Sequence, residues 1–376
     1  METGAESRPN RAWAVDLRHG RAPDVEVLVS EVYDFIISLR IVLTSPEQDF
    51  SDFDVGRAWM DAARARCREA DPGALDVLGR YLGDARRSSL HGILISLVWL
   101  CPEPRTVAHF LDWLLTIPPN EFAEALLDQD GLGSDWSEAL AAALAAPTNE
   151  KRLKAVLGRY DEEHRPTVEQ VVTNPAAVRA EIVTALRVWN DAVFAAERAR
   201  VQPLLEREAA AIERSHTDLP REQFLQEVMH GVQWQRPTGL KRLVFAPSYF
   251  SRPAVFYAFW KGTLTFVPPV DDTRLEPAAQ AAEPERPSAE LLHFFEALGD
   301  PTRLRILHLL TEREMYLTEL ADALNLTKAT VKHHMVKLRA AGLATLNDRE
   351  KMTYYTLRRD VSRRSRQLLD DFLNLK

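Results

Sequence analysis

The sequence has only two cysteines in 376 residues, Cys67 and Cys101, and they are far apart in the chain. Their number and spacing suit neither a disulfide framework nor a thiolate metal site, and sparse cysteine is typical of a reducing cytoplasm. Long apolar runs are also lacking, since residues 93–101 reach about half the length that a bilayer crossing needs. No run of signal-peptide type stands near the N-terminus. We therefore expect a cytoplasmic protein without a membrane segment.

Familiar catalytic motifs are lacking as well. There is no His-Glu-x-x-His pair, no phosphate-binding loop and no nucleophile elbow. We therefore expect no catalytic residues and no cofactor. A helical enzyme can nevertheless hide its site from a single sequence, so an enzyme of small-molecule metabolism remains the alternative for the N-terminal part.

Charge is distributed unevenly along the chain. The net charge is −8, but residues 288–376 carry +3 and the rest therefore carries −11. Within residues 327–366 the excess of basic side chains reaches +8. A basic segment attached to an acidic body indicates a polyanionic partner, such as nucleic acid, for one end of the chain.

The first two thirds of the chain show mainly helical periodicity. Apolar residues recur at helical spacing from Val25 to about Gly231, and prolines separate the helices. One long helix should begin near Asn174-Pro175 and pass Arg200, with a kink or restart at Pro203. After Gly231, residues 240–246, 254–260 and 263–267 have strand composition, with a tight hairpin turn between the last two. Residues 1–267 are thus predicted to form a helical regulatory or dimerisation domain that ends in a small antiparallel β element.

Nine of the 31 aromatic residues fall between Trp234 and Phe266. They could line an apolar effector pocket, because ligand sites are often aromatic, or they could simply pack a hairpin on the helical body. The pocket hypothesis places a ligand between the long helix and the hairpin. Its candidate residues are Trp189, Phe256, Tyr257, Phe259 and Trp260.

Residues 268–287 are rich in proline and alanine and are predicted to form a linker. Short helices follow it. Leu291, Leu292, Phe295 and Leu298 should share one apolar face, and Leu304, Leu307 and Leu310 should face inward on the next helix. Helix-capping residues are predicted at Asp300, Thr318 and Thr327, and a left-handed C-cap at Gly342. Two strands, about 343–346 and 352–357, then complete a winged helix-turn-helix in residues 288–376.

The helix beginning at Thr327 has the chemistry of a DNA-reading helix. Val331, Met335 and Leu338 are spaced to anchor it in a core, while polar side chains crowd its N-terminal end, the part that enters a major groove. Lysine and histidine donate to guanine acceptors, and threonine bonds phosphates or base edges. Basic residues at the hairpin tip suit phosphate contact. The predicted DNA contacts are Thr327, Lys328, Ala329, Thr330, Lys332, His333, Arg349 and Lys351, and His334 is predicted to be partly buried support.

Two segments resemble the ArsR/SmtB-type bacterial repressors. ALGDPTRLRILHLL (297–310) is similar to the family's opening signature, and LTELADALNLTKATVKHHMVKLRAAGLATL (317–346) to its helix-turn-helix and first wing strand. The resemblance covers about residues 288–360 without a gap. It implies a homodimer on an imperfect palindrome of double-stranded DNA, regulation by an effector, and usually repression.

The sequence departs from the metal-sensing members of that family. These relatives carry a cysteine pair at the positions of Tyr316 and Thr318, and neither side chain binds a soft metal as a thiolate does. A second metal site in relatives uses histidines of the last helix, but no histidine follows His334. We therefore expect no metal site, and DNA affinity that is the same with chelator as with added zinc.

These observations predict a mainly α regulator. An acidic N-terminal domain would sense a small non-metal effector, dimerise, or both, and would be linked to a winged helix-turn-helix that binds an operator. The alternatives are a winged helix fused to a small-molecule enzyme and a protein that only binds other proteins.

Overall fold

The computed structural model describes residues 23–43, 53–82, 84–85, 88–89, 94–95, 97–102, 106–127, 134–228, 240–252, 255–260, 262–271, 275, 287, 289–349, 352–358 and 361–375. Helices dominate, as predicted. The elements up to residue 267 are β1 (Asp24–Val27), α1 (Glu31–Leu43), α2 (Gly56–Ala70), α3 (Ala74–Leu82), β2 (Asp84–Ala85), β3 (Ser88–Ser89), α4 (Val107–Thr116), α5 (Pro119–Leu127), α6 (Ser134–Ala145), α7 (Glu150–Leu157), α8 (Arg165–Thr173), α9 (Pro175–Trp189), a π-helical turn (Asn190–Phe194), α10 (Ala195–Asp218), α11 (Arg221–Val228), β4 (Arg242–Phe245), β5 (Phe256–Trp260) and β6 (Thr263–Val267).

The C-terminal elements are α12 (Ala289–Leu298), α13 (Pro301–Glu312), β7 (Met315–Tyr316), α14 (Leu317–Leu324), α15 (Lys328–Ala340), β8 (Ala344–Arg349), β9 (Met352–Leu357) and α16 (Val361–Leu373). Among the described residues, no helix is both long and apolar enough to span a bilayer.

Helix α1 lies at the centre of the N-terminal domain. Every residue from Glu31 to Val42 is buried, so the helix is covered on all sides. A helix with no solvated face must be apolar all round, and most of its positions are, each contributing about 1.5–3 kcal/mol when fully buried. Its polar exceptions, Glu31, Asp34, Ser38 and Arg40, therefore need partners within the protein.

The small sheet differs from the purely antiparallel element that the sequence predicts. Its strand order is β1-β4-β6-β5, in which β1 pairs parallel with β4, β4 pairs parallel with β6, and only β5 runs antiparallel to β6. The predicted hairpin is present, and Gly262 at its turn has a φ of 81°. Strand β1 was expected to be helical, because Val25 fits the helical spacing of the residues that follow. Its backbone instead completes the sheet by pairing with β4.

The sheet separates two apolar clusters. On one face, Phe245 and Phe266 pack with α11 and the end of α10. On the other, Val244 and Val267 join the main helical core around α1. Residues 268–271 belong to this domain rather than to the linker, since Ser248 bridges Pro269 and Val270 is only 1% exposed.

The long helix is continuous from Pro175 to Asp218, as predicted, but its irregular turn lies elsewhere. Pro203 stands inside α10. The π-helical turn comes before it, at Asn190–Phe194. Such turns insert an extra residue into a helix and are frequent at functional sites. Here the turn brings Phe194 to Phe35 of α1, with ring centroids 5.6 Å apart.

Candidate nucleic-acid interface

Side-chain and glycine caps define the helices of the C-terminal domain. Asp300 accepts a hydrogen bond from the Arg303 amide (2.8 Å), and Thr327 Oγ1 accepts one from the Thr330 amide (3.1 Å). These bonds confirm both predicted N-caps. Gly342 has a φ of 66°, which confirms the left-handed end of α15. The predicted cap at Thr318 is wrong by two residues, because α14 begins at Leu317 after its N-cap Tyr316.

The turn between α14 and α15 uses a left-handed residue. Asn325 has a φ of 54°, a conformation that asparagine tolerates better than most residues, and its amide closes the end of α14. The amide of Leu326 then donates to the Ala321 carbonyl at 3.0 Å. This tight turn fixes the angle at which α15 leaves α14.

Helix α15 packs against the domain core with one face and exposes another to solvent. Val331, Met335 and Leu338 are buried at 1% exposure or less, as predicted. Thr327, Lys328, Thr330 and Lys332 are all exposed near the N-terminal end of the helix. The predicted contact residues on this helix are thus brought together, with Ala329 and His333 among them in sequence. Two cationic side chains and the positive end of the helix dipole make this surface attractive to phosphate.

The two adjacent histidines have different surroundings. His333 is half-buried and its ring lies 5.9 Å from that of His334. The side chain of His334 is 13% exposed, and its Nδ1 lies 3.7 Å from Asp300 Oδ1. Burial lowers the pKa of His334, against the opposing attraction of Asp300. His334 therefore packs against the turn between α12 and α13. Within the described residues, no group of side chains suitable for holding a metal ion occurs.

The wing is a three-stranded sheet of order β7-β9-β8. Short β7 adds a strand to the two that the sequence predicts, and Tyr316 in β7 meets Tyr354 across the pair. Strand β8 extends to Arg349, which pairs with Met352 at the tip. The backbone thus places Arg349 at the end of the wing, and Lys351 lies outside the described residues.

The residues predicted to line an effector pocket do not lie together, unlike the predicted DNA contacts on α15. Trp189 is fully buried and donates to Ser38 Oγ at 3.2 Å. Phe256 faces the main helical core, where its ring stacks on Phe53. Tyr257 and Phe259 contact the other apolar cluster, beyond the sheet. Because successive residues of a strand point to opposite faces, the aromatic residues of β5 cannot all line one pocket. Trp260 ends β5, and its side chain is not among those described.

Sequence reasoning missed an apolar surface on the C-terminal domain. Leu291 is buried, but Leu292 and Phe295 of α12 are 54% and 45% exposed, and Leu304 of α13 is 49% exposed. The predicted inward orientation is therefore wrong for Leu304, whereas Leu307 and Leu310 are buried as predicted. Leu369 and Leu373 on α16, which packs beside α12, are also exposed, at 37% and 49%. The sequence did contain a signal for this surface, because more of the ten residues of α12 are apolar than one buried helix face can hold.

The architecture of this domain defines a winged helix-turn-helix transcription regulator. A helix-turn-helix family model matches residues 298–347. The transcriptional repressor SdpR of Bacillus subtilis is 31% identical over 80 residues, which cover 89% of that protein and 21% of this chain. A transcriptional repressor SmtB homolog of Synechocystis is 32% identical over 68 residues, and the match spans about half (52%) of that protein and 18% of this chain. An uncharacterized regulator of Methanocaldococcus jannaschii is 33% identical over 78 residues, with 88% of it covered and 20% of this chain.

Through this C-terminal domain the chain belongs to the ArsR/SmtB-type helix-turn-helix regulators. No solved structure gave a significant match. The family model's match stops short of the N-terminal domain.

Proposed function

We propose that the protein is a homodimeric, sequence-specific DNA-binding repressor whose N-terminal domain senses a small non-metal effector. The observation that carries the DNA-binding part is the N-terminal half of α15. It is anchored by buried residues on one side and presents exposed threonine and lysine side chains on the other. That division is what a helix needs to enter a major groove while remaining fixed to its domain.

The proposed contacts have separate roles. Lys332 and His333 would donate to base edges, and Lys328 with Thr327 and Thr330 would meet phosphates beside the helix N-terminus. Ala329 would allow close approach of the helix to the bases. From the wing, Arg349 and Lys351 would contact the backbone or the minor groove.

The exposed apolar side chains of α12 and α16 support a dimer. A monomer would leave Leu292, Phe295, Leu369 and Leu373 in water on neighbouring helices, at a cost of about 25 cal/mol for each Å² of apolar surface. A second copy that packs the same surface against itself about a twofold axis would cover them. Two reading helices would then face half-sites of a palindrome.

Repression and effector sensing rest on other grounds. Two of the matched relatives are described as transcriptional repressors. The N-terminal domain is strongly acidic, so direct contact with DNA is unfavourable there and sensing or dimerisation is left to it. A ligand bound to that domain changes DNA binding only if it prefers one of the two states.

Salt-dependent binding to a random-sequence duplex tests the proposed DNA surface before any operator is known. Replacing Lys328 and Lys332 together by Ala should weaken binding and reduce the slope of log K against log salt by about 2, because each subunit of the dimer loses the phosphate contact of Lys328 and each such contact contributes about 0.9. The matched control replaces Lys151 and Lys154 of α7 by Ala, two exposed lysines of the N-terminal domain. An unchanged slope in the α15 variant, or an equal change in the control, would contradict the proposal.

A further inference from the structure

Strands β1, β4 and β6 of the N-terminal sheet are parallel, so the chain segments that follow them all begin at the same edge of the sheet. After β1, the Leu28 amide donates to the Phe245 carbonyl at 2.8 Å, and α1 begins three residues later. After β4 and β6, the chain segments 246–252 and 268–271 are joined where the Val270 amide donates to the Ser248 carbonyl at 3.1 Å. The edge at the carboxyl ends of parallel strands is where open α/β sheets generally bind ligands.

A buried carboxylate stands at this edge. Asp34 of α1 is completely inaccessible to solvent. Its Oδ1 accepts hydrogen bonds from Ser248 Oγ and from the Phe250 amide, the latter at 3.1 Å. Its Oδ2 accepts none from the described residues, although the nearby Tyr249 amide also faces the group. Oδ2 of this buried, ionisable group therefore lacks a hydrogen-bond donor, and burying it in this state costs free energy unless a ligand donates to it.

No cation of the described part of the chain forms an ion pair with this carboxylate. Arg200 is close enough to lower the pKa of Asp34, but its own guanidinium donates to Glu197 Oε2 at 2.7 Å. Burial prevails and raises the pKa of Asp34 to about 6. Near neutral pH the group is thus mainly ionised and buried, with Arg200 nearby but paired to Glu197, and this arrangement favours a positively charged ligand.

Aromatic rings surround the same place. Phe250, whose amide binds Asp34, has its ring centroid 4.8 Å from that of Trp59, 5.4 Å from Tyr249 and 6.4 Å from Phe194 of the π-helical turn. This group already holds one cation, because the Arg200 guanidinium lies 4.3 Å from the centre of the Tyr249 ring. Aromatic faces attract cations and also pack against apolar groups.

We propose that these residues bind a small organic amine with an apolar body. Its ammonium group would pair with Asp34 Oδ2, and its apolar part would lie against the rings of Trp59 and Phe250. Anionic compounds would be excluded by the buried carboxylate, and neutral ones would leave it unpaired. Trp59 and Tyr249 are half-buried, and the amine would enter between their rings while the loop at residues 248–250 keeps its hydrogen bonds to Asp34 Oδ1. Binding stands on these contacts alone, whereas a role for the amine as the effector rests on the proposed function.

The simpler account is that Asp34 only anchors the loop at residues 248–250. Calorimetric titration of the full chain, without DNA, distinguishes the two. The probes are benzylamine, cyclohexylamine and tryptamine, with benzyl alcohol and benzoate as neutral and anionic analogues. At least one amine should saturate a single site at concentrations up to about 10 mM, and both analogues should fail to bind.

Variants then locate the site. Asp34→Asn keeps the size and the hydrogen-bond acceptor but removes the charge, and it should weaken amine binding at least about tenfold. The control Asp112→Asn removes an exposed carboxylate of α4 that pairs with Arg187, and it should bind as the parent does. Amine affinity of the parent should also fall as the pH drops through about 6, because Asp34 becomes protonated. Phe250→Leu, which keeps the carboxylate, should weaken binding while retaining this pH dependence.

The outcomes are separable from those of the proposed function. Absence of amine binding, equal binding of benzyl alcohol, or equal binding by Asp34→Asn would overturn the amine site and leave Asp34 as a loop anchor. A DNA-binding assay on the same samples reports the proposed function independently. Amine binding in a protein that does not bind DNA would support this site and contradict the regulator.

Discussion

On α15, neighbouring side chains are divided between the domain core and solvent. Lys332 is exposed directly beside Val331, which is completely buried. We predict that Lys332→Ala weakens binding to the preferred DNA sequence by about 1–3 kcal/mol, because a lost contact to a base edge costs this much. On random-sequence DNA the loss should be smaller. Fluorescence anisotropy on both duplexes measures the two losses, and equal losses would mean that Lys332 meets only phosphate.

Asp34 makes a prediction about stability and pH. Burial raises the pKa of its carboxyl from 3.8 to about 6, so folding disfavours the ionised form. Below about pH 4 the group is protonated in both states and costs nothing; the cost grows as the pH rises and is complete above about pH 6. As the pH rises from about 4 to 7, the free energy of unfolding of Asp34→Asn should therefore gain about 2–3 kcal/mol relative to the parent.

Urea titrations of the N-terminal domain's transition at several pH values measure this difference. The comparison across pH matters more than either protein's absolute stability, because hydrogen bonds lost in the variant are lost at every pH. A difference that stays constant from acid to neutral pH would show that Asp34 is not buried as described.

At the scale of single elements, the end of α15 depends on one residue. Gly342 has a φ of 66°, and a β-carbon there would meet only Arg358 Nη1 at an ordinary 3.4 Å. Space is therefore available, but the backbone conformation is unfavourable for a β-branched residue by about 1 kcal/mol or more. We predict that Gly342→Val lowers the melting temperature of the C-terminal domain. Gly299→Val is the matched control, because Gly299 has no positive φ.

Elements whose signals are local could be predicted from the sequence. Asp300, Thr327 and Gly342 act within one helical turn of themselves, so their residue types and spacing were enough. Strand β1 could not be predicted in this way, because its partner β4 lies more than 200 residues later in the chain. The π-helical turn also lacks a local signal, since packing of Phe194 against Phe35 and Phe250 accompanies it.

At the scale of the whole molecule, the apolar surface of α12 and α16 predicts the state of association. Phe295→Glu places a charge on a surface that a dimer would bury, and it should shift the protein toward the monomer in light scattering. Leu115→Glu is the control, because Leu115 is a similarly exposed leucine of α4 in the N-terminal domain. If Phe295→Glu has the same mass in solution as the parent, the surface of α12 and α16 is not the dimer contact.

The candidate sites differ in how much the sequence reveals. Reading-helix residues are consecutive, so one amphipathic pattern identifies the exposed set around Lys328 and Lys332. The residues around Asp34 come from α1, α2, the long helix and the loop after β4, and only the fold brings them together. The aromatic-rich segment did indicate where apolar side chains concentrate. Composition alone, however, does not tell which face of β5 each ring occupies.

Selection of bound duplexes from a random DNA pool tests the central claim most directly. The purified full chain should enrich a palindromic motif whose half-sites lie one or more helical turns apart, as two reading helices of a dimer require. The Lys328→Ala, Lys332→Ala double variant should lose this enrichment, and the control variant of α7 should retain it. Failure of the full chain to enrich any motif at low salt would contradict the assignment of this protein as a sequence-specific regulator.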